Sequence, residues 1–317
     1  MLSLTTAFAQ SQVDISQLAF ERTPNKGAVY LQYAAKTKLS ASAKSANQII
    51  LDLGAGSAEL VQSDDERLKA KAEIVISVKN KKRISRELED LELYIEEDGD
   101  NLKLISTFDY QDSKKGDISG GFLSSPERRV NIKIYVPKNI RVRLRDRAGD
   151  LEINGLSNDM RVSDGSGAIR IDGLNGNLDL QDNSGDVIIT NVNQEIEKTE
   201  DLEIKVRDAS GSLILTDVNG STEIDDNSGD IRVTNVGGSL TIDDTSGSII
   251  AKNIGGDSRI VDTSGEISVY DVSGSVTISD TSGGIYVDTV TEDVRLKRDG
   301  AGSFVTKNVE GKIIKRG

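Results

Sequence analysis

Between residues 146 and 302 a short phrase, Asp-x-(Ser/Ala)-Gly, returns nine times in one register, and a tenth copy, Asp271-Val-Ser-Gly274, stands half a unit on. The nine close on Gly149, Gly167, Gly185, Gly211, Gly229, Gly247, Gly265, Gly283 and Gly302. The step is 18 residues, with one step of 26 and one of 19. The phrase opens on Asp146, Asp164, Asp182, Asp208, Asp226, Asp244, Asp262, Asp280 and Asp299, so no copy loses its aspartate. A unit this short cannot stand alone; repeated at fixed spacing it stacks on its own copies, and each repeat position becomes a file of like residues.

The segments between phrases alternate apolar and polar, the period of a strand rather than a helix. One inward series reads Ile169/Ile171, Val187/Ile189, Leu213/Leu215, Ile231/Val233, Ile249/Ala251, Ile267/Val269 and Ile285/Val287. Leu178/Leu180, Leu240/Ile242, Val276/Ile278 and Val294/Leu296 form the second, and Val192, Val218, Val236, Ile254, Val272 and Val290 add one apolar group per unit. A further glycine stands nine residues on in many units, at Gly176, Gly220, Gly238, Gly256, Gly274 and Gly311. The pattern predicts an all-β chain: a single-stranded parallel β-solenoid (β-helix) over 130–317, with 18-residue rungs of two half-turns each. At about 4.8 Å per rung, about ten rungs extend about 45–50 Å.

Residues 10–129 do not follow the phrase and read as a β-rich region that caps the open end of the stack, or as a separate binding domain. Gln48–Leu53 and Leu68–Val78 alternate as strands, Lys81–Asp90 offers a turn or two of helix with Ile84 and Leu88 inward, and Leu91–Ile95 and Leu102–Ile105 flank a hairpin turn at Asp98-Gly-Asp-Asn. Residues 109–127 read as loop, and 194–201 as an insertion. Residues 1–9 end in Ala7-Phe-Ala9 after a short apolar run, the pattern of a signal-peptide remnant cleaved after Ala9. No later segment approaches a transmembrane span.

Cysteine, histidine and tryptophan are all absent. Disulfides, thiolate metal clusters, the commonest general base and the best sugar-stacking ring are thereby excluded. Residues 1–145 carry 23 basic and 20 acidic side chains, and 146–317 carry 16 and 32. A solenoid so acidic repels phosphate backbones, which argues against nucleic acid and anionic lipid.

Two motifs look chemical. Leu51-Asp-Leu-Gly54-Ala-Gly56-Ser resembles the glycine loop that holds S-adenosylmethionine, but strand-like sequence follows it where a helix is required, so it reads as a turn and no cofactor is expected. Asp-Thr-Ser-Gly differs in register from the aspartic-protease triplet, and nine equivalent carboxylates do not make a catalytic dyad.

Stacked carboxylates at that rung spacing repel by about 1 kcal/mol in water and about 3–4 kcal/mol at an effective dielectric of 20. Two answers are open. Each aspartate accepts the N–H groups of the Ser and Gly that follow it, or cations such as Ca²⁺ sit between rungs, with Asp226, Asp244, Asp262 and Asp280 as candidates. A second file points outward: Ile188, Ile214, Ile250, Tyr286 and Val305, interrupted by Arg170, Arg232 and Ser268. An exposed apolar stripe of this kind is expected to be an interaction face, centred on Ile188, Ile214, Ile250 and Tyr286. The matching file on the opposite side is polar: Asp179, Lys205, Glu223, Thr241, Arg259, Thr277 and Arg295.

Ile134-Tyr-Val-Pro-Lys-Asn-Ile, then Arg145-Asp-Arg-Ala-Gly-Asp-Leu-Glu-Ile and the Asp-x-Ser-Gly series, resembles a family of bacterial envelope proteins named "putative adhesins", over about residues 45–317. The resemblance implies an exported β-solenoid with a domain of unknown function and no established catalytic residue. The function expected is a non-enzymatic, adhesin-like binding module in the periplasm, at the cell surface or secreted, meeting a protein or glycan. The alternatives are a structural envelope protein that self-associates through its apolar face and, more remotely, a polysaccharide lyase or hydrolase. Such enzymes carry long loops and paired carboxylates or a basic side chain over a cleft; here the turns are short apart from the insertion.

Overall fold

The computed structural model describes residues 9–24, 30–108, 127–196, 202–298, 300 and 302–315. Residues 1–8 of the 1–9 signal reading and 109–126 of the 109–127 loop reading lie outside the described residues, as do Asp299 and residues 197–201 of the insertion; Ala9 opens the strand Ala9–Gln12. The chain is all-β and its strands are mostly parallel. It divides into two compact units, Met1–Leu151 and Glu152–Gly317.

In the first unit, long antiparallel strands dominate. Leu31–Ser42 pairs with Arg67–Val78 along its whole length, and Arg67–Val78 pairs with Arg128–Val136. Leu91–Asp98 and Asn101–Phe108 form the expected hairpin. The short helical turns Lys81–Arg83 and Ile84–Glu87 bury Ile84, and Leu88 is buried at their end. Alternation drives these pairings: in Gln48–Leu53, Ile49, Leu51 and Leu53 are buried while the residues between them are half-exposed.

Parallel pairing already occurs in this unit. Gln48–Leu53 lies beside Arg141–Arg145, and Ala58–Gln62 beside Arg128–Val136. Gly54-Ala-Gly56 joins these two strands and leads into a strand, not a helix. Gly56 holds φ +131°, and a Cβ there would collide with the carbonyl of Val130; Gly149 packs on Gly56 in the same way. The turn that the repeat announces from residue 130 onward is therefore built first at Gly56.

The second unit is two parallel sheets. One runs in order from Met160–Ser163 through Leu178–Asp182, Glu203–Asp208, Ser221–Asp226, Leu240–Asp244, Ser258–Asp262, Val276–Asp280 and Val294–Arg298 to Ile313–Lys315. The other runs from Ile169–Asp172 through Val187–Val192, Leu213–Val218, Ile231–Val236, Ile249–Ile254, Ile267–Val272 and Ile285–Val290 to Phe304–Val309. Register is strict in this second sheet: Ile231 lies beside Ile249, Ile249 beside Ile267 and Ile267 beside Ile285; the first sheet shifts once, after Ile278. Both inward series and the extra valine or isoleucine of each unit are buried. Like residues fill like places, so the core is continuous from one strand to the next.

Candidate functional site

Three files in the second unit carry the chemistry. The first is the aspartate file at the turn after each strand of the first sheet. Asp182, Asp208, Asp226, Asp244, Asp262 and Asp280 stand side by side in register and are buried. Each continues the inward alternation of its strand, so its carboxyl enters the corner of the core and not solvent. One oxygen caps the turn: Oδ1 of Asp226 accepts the N–H of Ser228 at 3.2 Å, and Oδ1 of Asp262 that of Ser264 at 3.0 Å.

This corrects the expected partners. The serine N–H is accepted as expected, Ser228 at Asp226, but not that of the glycine; the residue between, Asn227, donates its N–H to the backbone carbonyl of Asp208. The glycine N–H is used between units, Gly229 donating to the carbonyl of Ser246. The serine hydroxyl bonds the other way along the stack, Ser228 Oγ donating to the carbonyl of Ala209 at 3.2 Å. Gly229 holds φ +143°, and a Cβ on it would fall on the carbonyl oxygen of Gly211. Aspartate, serine and glycine are all consumed in holding one turn on the next.

The second carboxyl oxygen is left over. Oδ2 of Asp208, Asp226, Asp244, Asp262 and Asp280 is buried without a hydrogen-bond partner. Burial, then the neighbouring carboxyls Asp208 and Asp244, push Asp226 up to about 7 against the lowering effect of the Ser228 and Asn227 N–H groups. Burial likewise pushes Asp262 up to about 6, and it raises Asp208 and Asp244. As for cations, each rung presents one spare oxygen where Ca²⁺ takes about six to eight. Among the described residues no three acidic side chains converge as a metal group would require.

The second file is the outward one. Arg170, Ile188, Ile214, Arg232, Ile250, Ser268, Tyr286 and Val305 are successive register partners. Ile188, Ile214, Ile250 and Tyr286 are half-buried, and Val305 is exposed. Tyr286 is the most enclosed chemically: its ring lies 5.5 Å from that of Tyr270, Lys307 Nζ sits over it at 5.3 Å, and its hydroxyl donates to Asp288 at 2.8 Å. The polar file of the opposite sheet is also in register. It is partly self-neutralised by Lys205 with Glu223 and by Arg207 with Asp179.

The third file was not singled out from sequence. Just before the extra apolar residue of each unit, Asn191, Asp217, Asn235, Asn253, Asp271, Thr289 and Asn308 hold φ between 48° and 60°. Asn and Asp are the side chains that best tolerate this left-handed conformation, so their recurrence at this place in the repeat was the available signal. Their amides form a ladder: Asn253 Nδ2 donates to Asn235 Oδ1 at 2.7 Å, and Asn235 Nδ2 to Asp217 Oδ1 at 2.6 Å. Beside the ladder runs an open groove of about 570 Å³. Asn219, Gly237, Gly255, Ser273 and Thr291 line its length, and Gln194, bonded to the carbonyls of Val192 and Asp217, borders it at one end.

Stacked parallel strands, buried aliphatic files and polar turns spent on the backbone define an all-β repeat protein. The chain belongs to the Toastrack DUF4097 family, whose model matches residues 46–258. Its fold is similar to that of a "putative lipid binding protein" from Parabacteroides distasonis at 17% identity and TM-score 0.36, over 94% of this chain and 100% of that one. A "putative cell adhesion protein" from Clostridium sporogenes is 12% identical at TM-score 0.33, over 89% and 100%. A "putative adhesin" from Parabacteroides merdae is 14% identical at TM-score 0.31, over 89% and 96%. No curated protein matches the chain. Among the described residues no helix is long and apolar enough to cross a membrane.

Proposed function

We propose that this chain is a non-enzymatic binding module, exported to the cell envelope, that offers the outer faces of its 18-residue rungs to a surface partner. The observation that carries the reading is the outward file. Ile188, Ile214, Ile250 and Tyr286 share one line of the sheet, on the side away from the buried aliphatic series, and all four are half-buried rather than enclosed. The aspartates from Asp182 to Asp280 speak against catalysis, because one oxygen of each caps a turn and the carboxyl is buried in the core. Export rests on Ala7-Phe-Ala9 and places the module in the periplasm, at the surface or outside the cell.

Self-association through the same file is the second reading, favoured by the adjacent pair Ile188 and Ile214 and by Tyr286 beside Val305. Light scattering on the purified chain, with Ile214→Ser and Ile250→Ser beside the natural sequence, separates the two. A monomer whose adherence to envelope preparations falls with both variants supports the binding module. An oligomer dispersed by either variant supports self-association. Variants that fold and leave both adherence and mass unchanged dispose of the file as a contact surface.

A further inference from the structure

The groove beside the asparagine ladder has a construction of its own. It crosses Asn219, Gly237, Gly255, Ser273 and Thr291, one from each of five successive units. At about 4.8 Å per step this is about 19 Å of length. Its floor is bare at Gly237 and Gly255, where a Cβ would press on Asn219 Oδ1 and on the carbonyl of Gly237 respectively. Its walls are amide, hydroxyl and carboxylate, with no lysine or arginine among the lining residues.

The ladder also breaks inside the groove. Asn253 has spent its amide N–H on Asn235, so its free Oδ1 faces the next unit. The next residue in the file is Asp271, whose side chain presents carboxyl oxygens where the earlier steps present an amide N–H. Two acceptor groups therefore stand in succession where every earlier step from Asp217 has a donor and an acceptor. A ligand that fits must bring donors, must be extended, and must not be anionic, because Asp217 and Asp271 border the site in a strongly acidic half of the chain.

We infer that the groove binds a neutral polysaccharide, running along the stack, with sugar hydroxyls donating to Asp271 and to Asn253 Oδ1. Hydroxyl groups supply donors without charge, and consecutive pyranose units of an extended chain recur at a spacing close to that of the rungs. Ser273, Thr291 and Asn219 offer matching polar contacts at neighbouring steps, and the glycine floor gives a flat bed for a ring. This inference rests on the binding-module reading but uses a different surface from the apolar file.

Asp271→Asn tests it. An asparagine side chain suits the left-handed backbone at this position and donates to Asn253 Oδ1, so it continues the ladder and removes the acceptor pair without disturbing the fold. Asp271→Gly is the second variant, at ease at that φ and lacking the carboxylate outright. Binding is measured by calorimetry with oligomers of β-1,4-linked glucose and of N-acetylglucosamine, with polygalacturonate as the anionic arm. The expected result is binding of a neutral oligomer, none of polygalacturonate, and at least a tenfold loss in both Asp271 variants, with Ile214→Ser and Ile250→Ser unaffected. No neutral oligomer bound, capture of a basic peptide instead, or Asp271 variants that bind as the natural chain does would each overturn it. Glycan binding lost in the Ile214 and Ile250 variants alone would move the site to the apolar file, overturning the groove while sustaining the binding module.

Discussion

Replacing Asp226 by Asn should stabilise the second unit at alkaline pH and leave it nearly unchanged in mild acid. The fold prefers Asp226 as the neutral acid: its carboxyl is buried, its Oδ2 has no partner, and Asp208 and Asp244 stand on either side. A folded-state value raised from 3.8 to about 7 means the contribution is complete below the unfolded value and lost as pH climbs through the folded one. Three pH units at about 1.4 kcal/mol each make that loss about 4 kcal/mol between pH 4 and pH 8. Asparagine keeps the Oδ1 that accepts the Ser228 N–H and turns the orphan oxygen into an N–H donor facing the neighbouring carboxyls. The variant should therefore gain about 2–4 kcal/mol at pH 8 and change by less than about 1 kcal/mol at pH 4. The chain has no tryptophan, so urea unfolding is followed by far-ultraviolet circular dichroism at both pH values. A variant destabilised at pH 8 would refute the reasoning, since it would show that the ionised carboxylate is what the turn requires.

Gly229→Ala should be among the most damaging single changes, losing more than about 3 kcal/mol or failing to fold, because φ +143° and the Gly211 carbonyl both exclude a methyl group. Gly99→Ala, at φ +59° with open space around it, should cost only about 1 kcal/mol in the same urea titration. Thr289→Asn should stabilise by about 1 kcal/mol, since a β-branched residue sits at φ 60° in a file otherwise filled by Asn and Asp; differential scanning calorimetry reads the shift. Neither chelator nor millimolar Ca²⁺ should move the melting temperature, and a rise of several degrees with Ca²⁺ would return the cation reading of Asp226, Asp244, Asp262 and Asp280.

The aspartate file and the two aliphatic series were legible because each depends on a fixed interval, and a parallel stack turns a fixed interval into a line. The outward isoleucines followed from the same alternation, and Asp182 to Asp280 do stand in register. Of the two capping partners expected for each aspartate, the serine N–H holds, while the glycine N–H is drawn away by the serine carbonyl of the following unit, a contact between copies. Gly54-Ala-Gly56 was read as a turn, but its place in the stack was hidden because its partner, Gly149, lies 93 residues away, beyond a long antiparallel excursion that erases the interval. Pairings such as Leu31–Ser42 with Arg67–Val78 belong to that excursion, and alternation reveals strands but not their partners. The left-handed Asn and Asp file was periodic too, but its meaning is a backbone angle, which side-chain polarity does not announce.

In the second unit the turn contacts reach a single step: serine hydroxyl to the carbonyl behind, glycine amide to the carbonyl ahead, asparagine amide to its counterpart. An in-frame gene duplication inserting one more such segment would thus find both its neighbours already compatible. The number of segments is free to drift between descendants, and with it the reach of whatever the outer faces carry, while each joint stays as it was.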